Sequence, residues 1–210
     1  MILLKFNWAP NEKIFEIGGF GIHVYSLMFI IAFLLGLRIY KKMFINENID
    51  IKYLEPMFIF MVISTLLGAR LGEVFFYNWE YFKDHPIEIL LPIKANNDGS
   101  MFFGLISGYN FVGFRGLASH GAAIGILIGI FIFQRTYKFK PFLWILDRLT
   151  LPVTLGGVFI RIGNFFNSEI VGEYTESSFG VVFQNRGETL PRYPAQIYEA
   201  IGYLILFFIL

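Results

Sequence analysis

Long apolar segments, each close to the length that spans a lipid bilayer, constrain this chain more than any other feature of its sequence. In the first of them, residues 24–37 include no Asp, Glu, Lys or Arg. A helix rises about 1.5 Å per residue and the hydrocarbon core of a bilayer is about 30 Å thick, so about 20 such residues cross it. We expect about five transmembrane helices, at residues 20–40, 56–77, 116–134, 141–164 and 195–210.

The composition fits a membrane protein and excludes several other classes. Of the 210 residues, 56% are hydrophobic and 16% are charged, whereas soluble domains carry about 25% charged residues. The net charge of +1 indicates no nucleic-acid partner, and the absence of cysteine excludes disulfides and thiolate metal sites. The three histidines lack the spacing of metal ligands, so we expect no metal and no organic cofactor. The predicted fold class is all-α, a polytopic transmembrane helix bundle that forms a single integral membrane domain over residues 1–210.

Basic residues in the short loops predict how this bundle is oriented, because cytoplasmic loops are enriched in Lys and Arg. The excess lies after the first and third spans, at Arg38, Lys41, Lys42, Lys52, Arg135, Lys138 and Lys140. We therefore expect the N-terminus and the loops 78–115 and 165–194 on the outer side. Residues 1–19 do not have the pattern of a cleaved signal peptide. The apolar run 86–93 is too short to span, and we expect it to be interfacial or re-entrant.

Small residues recur every four positions in two of the predicted spans. The second span has Ser64, Gly68 and Gly72, and the third has Gly121, Gly125 and Gly129. Small residues at this spacing let helix backbones approach closely in lipid, so they predict a packing surface.

Ionisable and amide side chains in the spans are expected to collect in the outer leaflet. Charges inside a membrane are costly, so each of them needs a partner or a function. The set comprises Tyr25, Arg70, Glu73, His120, Arg161, Asn164, Gln196, Tyr198 and Glu199. A layer with one His, two Arg, two Glu and several amides suits a ligand with an anionic head and apolar tails.

Other interpretations of these residues remain open. Arg70 and Glu73, one helical turn apart, also fit a structural pair, and Arg161 could extend to lipid head groups. The set also fits a small transporter or channel for an anionic or lipid-like substrate, although no polar path crosses to the cytoplasmic side. A non-catalytic scaffold would explain the glycines but not the burial of Arg161, Asn164 and His120.

Five short blocks, in order along the chain, resemble the bacterial prolipoprotein diacylglyceryl transferase family. Residues 160–169 and Gly172 resemble its signature G-R-I-G-N-F-x-N-G-E followed by a glycine, with Ile160 and Ser168 where the family usually has glycine. The other blocks are Y-S-L-M at 25–28, G-A-R-L-G at 68–72 with F-Y-N at 76–78, S-H-G-A at 119–122 and Y-P-A-Q-I-Y-E-A at 193–200. In the last block Tyr193 stands where histidine is common.

The resemblance implies an enzyme of the bacterial inner membrane whose partners are phosphatidylglycerol, the bilayer and a prolipoprotein signal peptide. Such an enzyme moves a diacylglyceryl group to the thiol of the lipobox cysteine, so that a thioether forms and glycerol phosphate leaves. It implies catalytic roles for His120, Arg161 and Tyr25, with His120 as general base. It also implies that Arg161, Asn164, Asn167 and Arg70 bind the phospholipid. Supporting roles are implied for Glu169, Gly172, Gln196, Tyr198 and Glu199.

The family continues with two further helices, so the resemblance implies about five of seven spans here and a C-terminally incomplete chain. The fifth predicted span has 16 residues, which rise about 24 Å and fall short of the bilayer core. A further functional arginine and acid of the family are expected beyond Leu210.

Overall fold

The computed structural model describes residues 6–17, 20–101, 106–112 and 117–210, and these residues are mostly helical. Four helical segments are long and apolar enough to cross a membrane: Val24–Asn46, Ile51–Phe76, Ser119–Tyr137 and Phe142–Phe166. The α-helices of the described residues are α1 (Val24–Asn46), α2 (Leu54–Phe76), α3 (Trp79–Phe82), α4 (Ile87–Leu90), α5 (Ser119–Tyr137), α6 (Phe142–Phe166) and α7 (Ala195–Ile209). The membrane helices therefore lie where four of the predicted spans were placed.

The helix bounds differ from the predicted spans at several ends. The first helix begins at Val24 and not at residue 20, because Phe20–His23 is an extended strand. It continues to Asn46, because the basic segment with Arg38, Lys41 and Lys42, which follows the apolar residues, is also helical. The last helix, α7, has 15 residues, and at about 1.5 Å per residue it is shorter than a full span. The fifth crossing therefore stays a prediction.

The all-α expectation is wrong for the segments outside the long helices, which contain three two-stranded sheets. Strand β1 (Phe6–Trp8) pairs in parallel with β6 (Val181–Phe183), and β2 (Lys13–Ile17) pairs with β3 (Phe20–His23). Strands β4 (Ile93–Met101) and β5 (Ile106–Phe111) form an antiparallel pair. Backbone groups that leave the helical ladder need other partners, and these short ladders supply them.

The run 86–93, expected to be interfacial or re-entrant, contains α4 and the first residue of β4. Four residues make only one helical turn, so this segment does not span a membrane. Its position relative to a bilayer stays a prediction.

The chain divides into two compact units. The first unit comprises Met1–Phe15, Ile22–Ile39 and Thr150–Leu210, and the second comprises Glu16–Gly21 and Tyr40–Leu149. Each unit has its own buried side chains: Val158, Val181 and Phe183 are buried in the first, and Phe44, Met57, Ile130, Phe133 and Ile145 in the second.

In the second unit, α2 and α5 approach each other along the predicted small residues. A Cβ atom added at Gly72 would lie 2.6 Å from the Cα of Gly121, and one at Gly68 would lie 2.8 Å from the Cα of Gly125. Real Cβ atoms do not come so close, so the two backbones touch only because these positions are glycine. The predicted packing role of these glycines is confirmed. We call this contact the glycine seam.

In the first unit, the N-terminal strand closes over the end of α6. The indole Nε1 of Trp8 donates to the carbonyl oxygen of Phe165 at 2.9 Å, and its ring stacks on that of Phe165 at 4.4 Å between centroids. The same carbonyl also accepts from the backbone N–H of Ser168 at 3.1 Å, so Trp8 adds a second donor to an acceptor in the last turn of α6. This contact joins the N-terminal strand to the helix that carries Arg161 and Asn164.

Candidate active site

Two of the predicted site residues project from the last turns of α6. Arg161 and Asn164 are three residues apart and therefore share a helix face. The Nη2 of Arg161 lies 2.6 Å from the Oε2 of Glu199 on α7, and its Nη1 donates to the Oδ1 of Asn164 at 3.4 Å. Arg161 thus links α6 to the first turns of α7.

Asn164 is the centre of the hydrogen-bond network in the first unit. Its side chain is 2% exposed, and its Nδ2 donates to the Oε1 of Glu169 at 2.7 Å. The same carboxylate oxygen accepts a longer bond of 3.4 Å from the Nδ2 of Asn167. The phenol of Tyr25, in the first turn of α1, lies beside the side chain of Asn164. Three chain segments therefore meet at one amide.

Glycines bring these segments close enough to interact. A Cβ atom at Gly163 would lie 2.7 Å from the Cδ2 of Tyr25, so the aromatic ring rests on the backbone of α6. A Cβ atom at Gly172 would lie 2.7 Å from the carbonyl oxygen of Tyr193, to which the Gly172 N–H donates at 2.9 Å. The predicted supporting residue Gly172 thus allows a backbone contact that a larger residue would block.

Gln196 anchors the segment after α6 to the start of α7. The side chain is fully buried, and its Nε2 donates to the backbone oxygen of Glu169 at 2.6 Å. Within the described part of the chain, its Oε1 and the buried Oγ of Ser168 have no hydrogen-bond partner. Tyr198, by contrast, is 48% exposed on the first turns of α7.

We call the set Tyr25, Arg161, Asn164, Asn167, Glu169, Gln196 and Glu199 the polar network. All of its members belong to the first unit. Sequence reasoning singled out each of them, but it could not supply the partners that join them.

His120 and Arg70 belong to the second unit. His120 is the second residue of α5 and its side chain is exposed. It immediately precedes Gly121, whose backbone packs against α2 in the glycine seam. The backbone at His120 is therefore held by a tight helix contact while the imidazole stays accessible.

Arg70, predicted to bind phospholipid, has a set of protein partners. It is 7% exposed, its Nε donates to the carbonyl of Ile89 at 3.0 Å and its Nη2 to that of Glu88 at 2.5 Å. The guanidinium also lies 4.8 Å from the centroid of the Phe82 ring. Arg70 thereby joins α2 to α3 and α4, and its role in lipid binding stays a prediction.

Glu88 completes this contact from the other side. It is 3% exposed, and its two carboxylate oxygens accept from the Tyr81 hydroxyl at 2.7 Å and from the backbone N–H of Ala95 at 2.8 Å. Desolvation and the hydrogen bond to Glu88 raise the pKa of Tyr81 to about 12, so the phenol keeps its proton. The carboxylate of Glu73 accepts from the Nδ2 of Asn78 at 2.6 Å.

Several contacts around the polar network were missed at the level of sequence. The sequence assigned no role to Trp8, and it placed Arg186, Glu188 and Arg192 among the charges of the loop 165–194. The only local signal was the spacing of Glu188 and Arg192, which are four residues apart. Among the described residues, no group of three or more His, Cys, Asp or Glu side chains could hold a metal ion.

Comparisons with known proteins agree with the motifs. The sequence model of the prolipoprotein diacylglyceryl transferase family matches residues 12–210. The phosphatidylglycerol–prolipoprotein diacylglyceryl transferase of Tolumonas auensis is 38% identical over 203 residues, which cover 97% of this chain and 70% of that protein. The transferase of the same name from Bacteroides fragilis is 35% identical over 209 residues, covering 100% of this chain and 72% of the relative.

A third relative of that name, from Chloroherpeton thalassium, is 38% identical over 200 residues, covering 95% of this chain and 67% of its own length. The family match extends over nearly all of the chain, and it includes every residue of the polar network. The chain belongs to the prolipoprotein diacylglyceryl transferase family.

Proposed function

We propose that this protein transfers the diacylglyceryl group of phosphatidylglycerol to the lipobox cysteine of a prolipoprotein signal peptide. The thiolate attacks the glyceryl carbon, a C–S bond forms, and the C–O bond to phosphate breaks with release of glycerol phosphate. The observation that carries the proposal is the position of Arg161, which is joined to Asn164 and Glu199 within the polar network. Membership of the transferase family indicates which reaction this arrangement would carry out.

Arg161 is proposed to bind the phosphate of the lipid. Its planar guanidinium can hold two phosphate oxygens at once, and the leaving group gains negative charge as the C–O bond breaks. A fixed positive charge in a region of low dielectric stabilises that developing charge. Glu199 neutralises Arg161 at 2.6 Å, so a phosphate that binds there competes with this carboxylate.

His120 is proposed as the general base. A free cysteine has a pKa of about 8.5, so little of it is thiolate at neutral pH and a nearby base increases the reactive fraction. The exposed imidazole on the first turn of α5 is accessible to a thiol on a second substrate. The proton of the thiol goes to the imidazole, and the sulfur electron pair forms the new bond.

The amides and Tyr25 are proposed to orient the lipid head. Asn164 and Asn167 share one oxygen of Glu169, so the carboxylate fixes the direction in which both amides point. The phenol of Tyr25 lies beside Asn164 and is therefore placed to contact the same part of the lipid head. Groups held in this way lose little freedom when a substrate binds, which favours a reactive alignment.

The protein is proposed to span the bacterial inner membrane with its N-terminus outside and its active site facing the outer leaflet. The basic residues of the loops after α1 and α5 support this orientation. The family resemblance supports seven crossings in the whole protein, with α7 as the fifth of them. A transporter or channel is not favoured, because the family is one of transferases.

A lipidation assay tests the proposal. The full-length gene product is placed in phosphatidylglycerol nanodiscs with a peptide that carries a lipobox cysteine, and mass spectrometry measures the thioether product. We expect transfer with phosphatidylglycerol and none in nanodiscs of phosphatidylcholine. Removing Arg161 with Arg161→Ala is expected to lower kcat/KM by about 100- to 1000-fold, the usual effect of losing a charge stabiliser. His120→Gln is expected to reduce kcat.

Arg148→Ala is the matched control for Arg161→Ala. Arg148 is also on α6, but it pairs with Glu47 at 3.2 Å and with Asp147 at 2.5 Å, and neither acid is a member of the polar network. Its removal is expected to leave transfer within about twofold of the original rate, as for an ordinary exposed ion pair. Full activity in both Arg161→Ala and His120→Gln would overturn the assignment of these residues.

A further inference from the structure

The segment that follows α6 has a backbone conformation that is costly for its residues. Ser168 has a φ of 55° and Ile170 a φ of 54°, both in the left-handed region. L-residues other than glycine rarely adopt this region, and a β-branched residue such as isoleucine does so least readily. Such a conformation persists only where neighbouring groups hold it in place. Glu169, whose carboxylate binds Asn164, lies between these two residues.

Two arginines hold this segment by its backbone oxygens. The Nη1 of Arg186 donates to the carbonyl of Ser168 at 3.2 Å, and the Nη1 of Arg192 donates to that of Gly172 at 3.1 Å. The two carbonyls are on either side of Glu169. The contacts therefore fix both ends of a short segment around the carboxylate.

Glu188 in turn holds both arginines. Its Oε1 accepts from the Nε of Arg186 at 3.0 Å and its Oε2 from the Nε of Arg192 at 2.7 Å. Only 14% of the Glu188 side chain is exposed, and the guanidinium of Arg192 also lies 3.7 Å from the centroid of the Tyr174 ring. Because Nε binds the carboxylate, each arginine keeps an Nη group for a backbone carbonyl.

We propose that Glu188 is a positioning residue for diacylglyceryl transfer. Through Arg186 and Arg192 it fixes residues 168–172, and so it holds the Glu169 carboxylate against Asn164. The proposal rests on the proposed function, since the consequence of this positioning is measured as transfer. It assigns a role to a residue outside the polar network and outside the motifs that identify the family.

The hydrogen bonds from both arginines also lower the pKa of Glu188 below its ordinary value. The carboxylate is therefore charged at neutral pH, and the two ion pairs are present in an assay at pH 7.

The experiment combines two independent measurements on the full-length protein in nanodiscs. Hydrogen–deuterium exchange reports on the amides of residues 167–173, and the lipidation assay gives kcat and KM. We expect Glu188→Gln to raise exchange in this segment about tenfold and to lower kcat about tenfold, within the range for coupled contacts. The KM for phosphatidylglycerol should change less than about twofold, because Arg161 remains in place. Glu188→Asp, which keeps the charge on a shorter side chain, should restore part of both losses.

Glu176→Gln is the matched control, because Glu176 is an exposed acid in the same loop. It should leave both exchange and kcat unchanged. A second test combines Glu188→Gln with Glu169→Gln: if Glu188 acts through Glu169, the double variant is no slower than Glu169→Gln alone.

Several results would overturn the proposal. These are a normal kcat in folded Glu188→Gln, a lowered kcat without faster exchange at 167–173, or an equal loss in Glu176→Gln. If Glu188→Gln does not fold, the same two measurements are made on Glu188→Asp. Exchange at residues 167–173 and a kcat that both equal those of the original protein would then refute the role. An inactive original protein would instead refute the proposed function, while the exchange measurement would still decide whether Glu188 orders the segment.

Discussion

The glycine seam and the polar network hold their units together in opposite ways. In the seam, α2 and α5 touch through backbone atoms, and a Cβ at Gly72 would already come within 2.6 Å of Gly121. In the network, α1, α6 and α7 are joined by side chains, at distances from 2.6 Å for Arg161 and Glu199 to 3.4 Å for Arg161 and Asn164. One contact depends on the absence of side chains and the other on their chemistry.

The difference indicates which of the two contacts can exchange one partner for another. Two backbones in direct contact must separate when a Cβ atom is added between them. In lipid, no hydrophobic force between the helices compensates for the contact that is lost. Hydrogen-bonded side chains can exchange one partner for another of similar polarity, such as a phosphate in place of a carboxylate. The seam is therefore suited to scaffolding, and the network to binding a ligand.

The largest expected effect comes from breaking the seam with Gly125→Ala. The new Cβ would lie 2.9 Å from the Cα of Gly68, so the helices must separate, at a cost of about 3 kcal/mol. The midpoint of thermal unfolding in detergent measures this. Gly156→Ala is the matched control, because its Cβ would meet only Ala32 at 3.8 Å, and it should be neutral. Equal unfolding midpoints for the two variants would contradict the account of the seam.

A smaller loss of stability is expected when the network is broken with Asn164→Ala. The Oε1 of Glu169 then keeps only its long bond from Asn167, which should cost about 1–2 kcal/mol of stability. The protein should fold, but transfer to the lipobox peptide should fall about 100-fold, as when an orienting group is lost. Asn167→Ala should have a weaker effect on both quantities. Unfolding as severe as in Gly125→Ala would show that the network is mainly structural.

The smallest expected effect is a dependence of the Glu188 ion pairs on pH. The pKa of Glu188 in the folded protein is lowered from its ordinary value of 4.5, so the unfolded chain takes up the proton first as pH falls. The stabilisation is therefore complete above 4.5 and is lost as pH falls through the lowered value. Exchange protection at residues 167–173, corrected for the intrinsic rate, should fall in that range and stay level in Glu188→Gln. The amides of the glycine seam should show no such step, because the seam is a contact between backbone atoms and not an ion pair.

The sequence predicted the long helices and the seam well, because both depend on local patterns. Apolar length sets the helices, and a spacing of four places Gly68 and Gly72 on one face. The strand Phe20–His23 was missed because its apolar residues continue directly into α1 and nothing in the pattern separates them. Extended structure there depends on pairing with Lys13–Ile17, which is a tertiary contact.

The members of the polar network could also be identified from the sequence, but their partners could not. Spacing suggested Glu73 as a partner of Arg70, but it did not indicate the two backbone carbonyls in another segment that accept hydrogen bonds from Arg70. Backbone oxygens are present at every residue, so no sequence pattern marks those that an arginine will use. For the same reason, the sequence could not predict the hydrogen bonds from Arg186 and Arg192 to the carbonyls of Ser168 and Gly172.

The bond between Trp8 and Phe165 has a consequence for biogenesis. These residues are 157 positions apart, so at about 5–20 residues per second the ribosome needs roughly 8–30 seconds to make the second after the first. During that interval the N-terminal strand has neither the carbonyl it binds nor strand β6, its partner in the sheet. Until then this segment is unpaired and accessible to chaperones and proteases, and the first unit cannot close before residues 181–183 have been made.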